Sequence, residues 1–382
     1  MDTVAVVGMD LHRDFSKAVM MTEEGKVIES RNVWHDTREE MAELFGEFDP
    51  GTEVVMEASF NWPWIADLAE KAGLKPHLGH AMRCRELAKG MSKNDRKDAT
   101  FLARLWLAGD IFPEAYLAPR EVRARRSRFR TRALLVKIRT EVKNSIHGIL
   151  HKNGIRNDEV TDLYGKKGRK WLKGLELSPE AREEMEAKLA VVDDVDKHIT
   201  RLEEKLWAEL PTDPRASLLQ TIPGVGRLIA DGFLAEIGEI GRFPDRRALA
   251  SYAGVLPMDN RSAGEEHGKR TNPRCAKFLK LMAIEAVRGS VRTSGRMRSL
   301  FERVRAKNPD KPGKAVVAVA RELMEVVHIV LSRGVPYEEA PVRPGSKEGV
   351  VTGHSEDRRT RGPRRASQVG RSAGPEKIQA AK

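Results

Sequence analysis

An apolar run that ends in a carboxylate places the strongest constraint on how this chain folds. Residues 4–10 read Val-Ala-Val-Val-Gly-Met-Asp, so six mostly small or β-branched residues precede Asp10. Such a run is too short for a helix and is typical of a strand that is buried on both faces. Core packing does not require an acid at the exit of a strand, and Asp10 is therefore a candidate functional residue.

Three further acids occupy comparable positions. A second apolar run, Glu-Val-Val-Met-Glu, ends at Glu57. Asp95 and Asp98 open an apolar helical pattern, and their spacing of three residues places them on one helix face. If the two strands are neighbours in one sheet and the helix packs across it, all four carboxylates converge.

Four neighbouring carboxylates require a cation, because each negative charge raises the cost of ionising the next group. Mg²⁺ or Mn²⁺ suits such oxygen ligands and binds phosphate in its remaining positions. Two ions about 4 Å apart would stabilise the attacking and leaving oxygens of a phosphodiester. We therefore expect a Mg²⁺ or Mn²⁺ site for nucleic-acid phosphoryl transfer. Its expected ligands are Asp10, Glu57, Asp95 and Asp98, while His12 is either a phosphate contact or an ordinary loop histidine.

The order of predicted elements indicates an α/β fold for the first domain, residues 1–115. Three strands precede a helix, a strand, a helix, a strand and the helix of the acid pair. This is the order of the RNase H-like (RuvC-like) fold, and the acids fall at the ends of the first and fourth strands and on the last helix. A capping box at residues 37–40 is expected to open the first helix.

Arginine dominates the start of the next segment, residues 116–212. Residues 120–132 contain seven arginines, and we interpret this run of one sign as a phosphate-binding surface rather than a solvated helix face. These candidate nucleic-acid contacts are Arg120, Arg123, Arg125, Arg126, Arg128, Arg130 and Arg132.

Two apolar seams in the same segment predict long helices. One runs from Leu135 to Ile149 and the other from Met185 to Leu206, with steps of three and four residues. A seam held over about three heptads is typical of a coiled coil. The two helices pair either with each other, as an ordinary hairpin, or with another chain, as a homo-oligomer that is a dimer or a tetramer.

Residues 213–340 are expected to form a mostly helical domain. Pro-Gly-Val-Gly at 223–226 precedes a helical pattern, as in a helix-hairpin-helix element, so the backbone at Gly224 and Gly226 is a candidate phosphate contact. Residues 341–382 carry ten Lys and Arg against four Asp and Glu, with little apolar content, and are expected to be a disordered basic tail.

Overall charge and cysteine content agree with a nucleic-acid partner in the cytoplasm. The net charge is +12, which favours a polyanionic partner. We expect neither a membrane span nor a signal peptide, because the sequence has no apolar run of about 18 residues. Its two cysteines make no disulfide framework, which fits a reducing compartment.

Taken together, these motifs resemble the insertion-sequence transposases of the IS110 family, the DEDD transposases that include Piv-like invertases. The resemblance extends over about residues 4–335. Its marks are Gly8-Met9-Asp10, Met56-Glu57-Ala58, the pair Asp95 and Asp98, Pro223-Gly224-Val225-Gly226, the segment 252–257 and the turn at Ser262.

The resemblance implies a RuvC-like nuclease domain, a coiled-coil dimerisation segment and a transposase domain with a serine nucleophile. The nucleophile matches Ser262. The family often has two serines before the glycine, whereas this chain has Ser-Ala-Gly at 262–264, so Ser262 is the one candidate and Ser251 a poor substitute. In the best-understood members, a structured RNA encoded by the element pairs with target and donor DNA.

Three functions are compatible with these features. The preferred one is an RNA-guided DNA transposase or recombinase in which the metal site or a base activates Ser262. The second is a RuvC-like structure-specific endonuclease, a junction resolvase, in which metal-activated water attacks and Ser262 is only a turn residue. The third is a nucleic-acid-binding protein without catalysis. His267 is the nearest histidine to Ser262 and is interpreted as a surface or phosphate contact.

Overall fold

A six-stranded mixed sheet forms the centre of the first part of the computed structural model. Its strands, in chain order, are β1 (Val6–Leu11), β2 (Phe15–Met21), β3 (Val27–Trp34), β4 (Glu53–Glu57), β5 (Lys75–Gly79) and β6 (Glu114–Ala115). They lie side by side in the order β3-β2-β1-β4-β5-β6. β1 is antiparallel to β2 and parallel to β4, and β4 is parallel to β5. The five strands predicted from the sequence are confirmed, whereas β6 is too short to give a periodic signal.

Helices cover both faces of this sheet. They are α1 (Glu39–Gly46), α2 (Trp62–Lys71), α3 (Ala81–Leu87) and α4 (Asp95–Leu107). Alternate residues of β1 enter two separate cores: Val7 and Met9 pack with Phe45 of α1, whereas Val6 packs with Leu102 of α4. β1 is therefore buried on both faces, as the apolar run predicts.

The capping box predicted at residues 37–40 is wrong. α1 begins at Glu39, and Arg38 occupies its N-cap without a side-chain hydrogen bond to the helix. The N-cap is thus one residue later than the sequence pattern indicated, so Thr37 is not in the capping position.

Two long helices run antiparallel to each other after the sheet. α5 (Arg120–Lys152) and α7 (Pro179–Glu209) flank the short α6 (Lys166–Lys173). Arg132 pairs with Glu203 near one end of the helices, and Arg139 pairs with Asp196 one to two turns further on. The predicted apolar seams meet beyond these ion pairs, where the buried residues are Ile146, Ile149, Leu150, Met185, Leu189 and Val192. The two seams therefore pack together within one chain, as a helical hairpin.

Helices also dominate the rest of the chain. They are α8 (Pro214–Gln220), α9 (Arg227–Ile237), α10 (Arg246–Tyr252), α11 (Lys277–Thr293), α12 (Gly295–Lys307) and α13 (Gly313–Arg333). Between α10 and α11 lie the two-residue strands β7 (Pro257–Met258), β8 (Arg261–Ser262), β9 (Glu265–Glu266) and β10 (Arg270–Thr271). α13 has a buried apolar face that extends from Ala315 to Val330. The fold is thus a mixed α/β sheet followed by a mostly helical remainder.

The structure describes residues 3–89, 94–209, 213–258, 261–262, 265–266 and 270–339. The predicted basic tail and His267 lie outside these residues. The chain divides into two compact units, one formed by Met1–Asp213 and Asp231–Arg242, the other by Pro214–Ala230 and Phe243–Lys382. Among the described helices, none is both long enough and apolar enough to cross a lipid bilayer.

Candidate metal centre

The ends of β1 and β4 place two of the predicted acids next to each other. The parallel register pairs Gly8 with Val55 and Met9 with Met56, so the next step brings Asp10 beside Glu57. Side chains alternate between the faces of a strand, and Val55 faces the core that contains α4. Glu57, two residues later, therefore faces α4 as well.

Gly8 allows α4 to lie directly on β1. A Cβ atom at Gly8 would come within 2.2 Å of the Ala99 carbonyl oxygen and 2.8 Å of the Ala103 side chain. Asn94 caps α4 by accepting a hydrogen bond from the Arg96 N–H. The first turn of the helix, which carries Asp95 and Asp98, is thereby fixed above the end of β1.

His12, for which the sequence left open a phosphate contact or an ordinary loop histidine, completes a compact set of candidate ligands with the predicted acids Asp10 and Asp95. Its Nε2 atom lies 3.2 Å from Asp10 Oδ2 and 3.5 Å from Asp95 Oδ1. One ligand atom from each of these three residues lies within 4.8 Å of the others. The side-chain amide of Asn61 donates a hydrogen bond to the His12 carbonyl oxygen, which fixes the loop after β1. The position of His12 two residues past a strand-end acid was the only signal for it in the sequence.

Burial and like charges raise the pKa of Asp10 above its usual value. Loss of hydration is the largest cause, and Asp98 and Asp95 act in the same direction, against the lowering effect of His12. A divalent cation between these carboxylates would offset the repulsion between their negative charges. The carboxylate oxygens and the imidazole nitrogen fit Mn²⁺ or Mg²⁺ as ligands.

Glu57 belongs to the same electrostatic environment. Burial raises its pKa, Arg85 lowers it, and Asp10 and Asp98 raise it further. Burial and the neighbouring Glu57 carboxylate also raise the pKa of Cys84 to about 11. The Cys84 thiol therefore stays protonated at neutral pH and is no candidate nucleophile. The ligand atoms of Asp10, His12 and Asp95 lie within 4.8 Å of one another. The charge of Asp98 raises the pKa of both Asp10 and Glu57, and the charge of Asp10 also raises the pKa of Glu57.

Two models of transposase families match this chain. The DEDD transposase model of IS110 matches residues 7–153, which include all four acids. A second transposase model, that of the IS116/IS110/IS902 family, matches residues 216–302. The chain belongs to the IS110 family of transposases. Two matches to transposase models along one chain are more specific than either match alone.

Individual relatives of this IS110-family transposase agree with the assignment. The transposase for insertion sequence element IS1111A of Coxiella burnetii is 25% identical over 349 residues, which are 88% of this chain and 92% of that protein. A probable family 20 transposase of Pseudomonas aeruginosa is 23% identical, over 81% of this chain and 90% of its own length. The pilin gene-inverting protein of Moraxella bovis is 27% identical over 152 residues, 37% of this chain and 45% of that protein.

Several arginines of α5 have partners within the fold of this transposase. Arg123 donates to the Ala118 carbonyl oxygen at 2.8 Å and pairs with Asp67 of α2. Arg132 pairs with Glu203 at 2.6 Å. Arg120, by contrast, is 80% exposed, and its Nε atom lies 3.8 Å from Asp67. Phosphate contact by the seven arginines remains a prediction, and the structure gives some of them a role in holding helices together.

Arg126 and Arg130 hold the end of α9 against α5. Arg126 donates to the carbonyl oxygens of Ala235 and Glu236 at 2.6 and 3.0 Å. Arg130 donates two hydrogen bonds, of 2.7 and 2.9 Å, to the Glu236 carboxylate, whose side chain is fully buried. Such a bidentate pair has a fixed geometry and is among the stronger hydrogen-bonded contacts.

Three predicted functional residues, Ser262, Gly224 and Gly226, belong to the mostly helical part of the chain. Ser262 ends β8 and pairs with Glu265 of β9. Gly224 has a φ angle of +84°, and a Cβ there would lie 2.3 Å from the Ser290 backbone nitrogen. The Ser290 hydroxyl donates to the Pro223 carbonyl oxygen at 2.6 Å. Gly224 thus serves the close packing of this turn on α11, whereas Gly226 is exposed with open space around it.

Proposed function

We propose that this IS110-family transposase is a metal-dependent DNA recombinase that excises and inserts a mobile element. The convergence of Asp10, His12 and Asp95, with Glu57 and Asp98 within electrostatic reach, is the observation that carries the proposal. A cluster of partly buried acids at the ends of adjacent parallel strands is unfavourable without a cation and suited to phosphodiester chemistry with one.

The RNase H-like assignment of the first domain is part of this proposal. Its support is the antiparallel order β3-β2-β1 continued by parallel β4 and β5, with acids at the ends of β1 and β4 and on α4. The same positions were expected for this fold from the sequence. The name of the pilin gene-inverting relative supports action on DNA.

In this proposal Asp10, Asp95, Glu57 and Asp98 hold Mg²⁺ or Mn²⁺, and His12 either completes the ligands or orients Asp10. The bound ion supplies Lewis acidity that stabilises negative charge on the phosphodiester oxygens. Asp10 and Glu57 sit on rigid strands, and Asn61 holds the backbone of His12. The chain's own contribution is therefore to keep the ligands in place before DNA binds.

Ser262 is the proposed nucleophile. Its Oγ–phosphorus bond forms while the bond between phosphorus and the departing strand oxygen breaks, and the hydroxyl proton is released to water. The leaving oxygen takes up a proton, and a phosphoserine linkage retains the energy of the phosphodiester for rejoining. The support for this role is the match of Ser262 to the family pattern.

The partners are also proposals. DNA is the substrate, a structured RNA of the element supplies the guide, and the net charge of +12 favours both polyanions. Association of two or four chains rests on the family resemblance alone, since the apolar seams of α5 and α7 pack together within one chain. A cytoplasmic location stays a prediction.

Ser262→Ala tests the chemistry. A plasmid carries the element with its flanking DNA, and excision is measured in cells together with the protein–DNA adduct on a denaturing gel. We expect the wild type to give both products and Ser262→Ala to give neither, because alanine removes only the hydroxyl. Cleavage by Ser262→Ala without adduct would instead support a junction-type endonuclease that uses water.

Asp10→Asn serves as the companion variant. It should lose excision and adduct while Mn²⁺ affinity, measured by calorimetry on the purified chain, falls at least tenfold. Full excision by Asp10→Asn would reject the metal centre whichever nucleophile is used.

A further inference from the structure

One exposed aromatic ring belongs to the turn that follows Glu57 of the candidate metal centre. Phe60 is 70% exposed, the largest exposed fraction among the large hydrophobic side chains that the structure describes. It lies in the turn between β4 and α2, three residues after Glu57. Single exposed apolar residues are common, so its position and its support decide whether it has a use.

The turn that carries Phe60 is fixed on both sides. Before it, the Ala58 N–H donates to the Gly79 carbonyl oxygen at 2.9 Å, and the Ser59 N–H donates to the Glu57 carbonyl oxygen at 2.7 Å. After it, the Asn61 side chain donates to the His12 carbonyl oxygen. The backbone of Phe60 is therefore held between the end of β4, which carries Glu57, and the loop that carries His12, although the Phe60 ring contacts mostly solvent.

We propose that the Phe60 ring stacks on a nucleobase beside the phosphate that the metal centre holds. This inference rests on the proposed function, since it requires a nucleic-acid strand at the four acids. A base has an apolar face that a ring can cover, and three residues of chain span at most about 11 Å from Glu57. A rigid backbone reduces the entropy lost when the ring becomes ordered against a base.

A surface aromatic in this place also has a specific consequence for the substrate. Stacking is tolerant of base identity, so Phe60 would select an unpaired or splayed base rather than a sequence. The strand at the cleavage position would then be held locally open, with one base turned onto the ring and its phosphate toward Asp10 and Asp95.

Fluorescence of a labelled oligonucleotide tests the proposal with the full chain. The probe is a single-stranded thymidine oligonucleotide with one 2-aminopurine, bound in Ca²⁺, an oxygen-seeking ion used here in place of Mg²⁺. We expect the wild type to quench the fluorescence. Phe60→Leu should remove most of the quenching and weaken binding about five- to hundredfold, and Phe60→Trp should retain both.

Controls separate this proposal from its basis. Ile111→Ala removes another exposed apolar side chain, 57% exposed, and should leave quenching unchanged. Unaltered thermal unfolding and Mn²⁺ affinity would show that Phe60→Leu is folded with an intact metal centre. Divalent-dependent binding that Phe60→Leu leaves unchanged overturns the stacking role alone. Quenching by the wild type that does not depend on divalent ions overturns the metal centre and the stacking role together.

Discussion

Asp10 is a residue whose negative charge is disfavoured in the metal-free fold. Because its pKa is raised by burial and by Asp98 and Asp95, the folded chain binds more protons there than the unfolded chain does. The free energy of unfolding should therefore fall as the pH rises above 3.8, the ordinary value, through the raised pKa. Glu57 contributes in the same direction.

Asp10→Asn should remove this part of the pH dependence. In EDTA at neutral pH we expect the variant to unfold at a higher temperature than the wild type, with the difference vanishing in acid where both side chains are neutral. Saturating Mn²⁺ should reverse the order, since ligand at 100 times its dissociation constant stabilises the wild type by about 2.7 kcal/mol. Thermal unfolding across pH, with and without Mn²⁺, measures both effects. Equal pH profiles in EDTA would contradict the proposed charge cluster.

Residues differ in how far the sequence could indicate their roles. Asp10 and Glu57 were predictable as neighbours, because each ends an apolar run and parallel strands share one edge. His12 was not, because its role depends on the path of the loop that Asn61 fixes, and a loop has no periodicity to read. The proposed role of Ser262 as nucleophile rests on family resemblance, since a hydroxyl in a turn does not by itself indicate catalysis.

At the scale of elements, the close packing of α4 on β1 depends on the absence of a Cβ atom at Gly8. Gly8→Ala would place a Cβ 2.2 Å from the Ala99 carbonyl oxygen, so α4 must shift. We expect a loss of about 1–3 kcal/mol in the free energy of unfolding, and weaker Mn²⁺ binding because Asp95 and Asp98 move with the helix. Gly148→Ala in α5 meets no atom within 4 Å and should stabilise by about 0.5–1 kcal/mol. Denaturant unfolding and Mn²⁺ titration compare the two variants, and similar behaviour would contradict the close contact.

The arginines of α5 should divide into two groups. Arg123→Gln should lower the free energy of unfolding by about 1–3 kcal/mol, since Asp67 and the Ala118 carbonyl lose their partner. Arg120→Gln, at an exposed side chain, should change it by less than about 0.5 kcal/mol. If Arg120 contacts phosphate, the slope of log affinity against log salt for duplex DNA should fall by about 0.9. An unchanged slope would assign Arg120 to a solvated face.

Element prediction succeeded where a pattern was local. Strands β1 to β5 and helices α2 and α4 follow from apolar runs and their endings. The arginine run illustrates the limit: charge density indicates an anionic partner, but Glu203 and Glu236 lie far along the chain and only the tertiary fold brings them to Arg132 and Arg130.

At the scale of the whole molecule, the chain leaves its first unit and later returns to it. After residues 214–230, the segment 231–242 rejoins that unit, where Arg126 and Arg130 hold its backbone and Glu236. Glu236→Gln should lower the free energy of unfolding by about 1–3 kcal/mol, because a buried partner of Arg130 loses its charge. Glu183→Gln, at an exposed acid of α7, is the control and should be nearly neutral. Equal unfolding midpoints would show that this ion pair does not stabilise the return.

This interleaving also governs how the protein can be recombined with its relatives in the laboratory. The chain passes between its two units at 213/214, at 230/231 and at 242/243, and the second of these lies inside α9. A chimaera that joins the first half of one transposase to the second half of another at 213 would therefore combine the arginines of one parent with the Glu236 equivalent of the other. Exchange at 242/243 keeps those partners in one parent. In that chimaera α8 and α13, which contact each other, come from different parents.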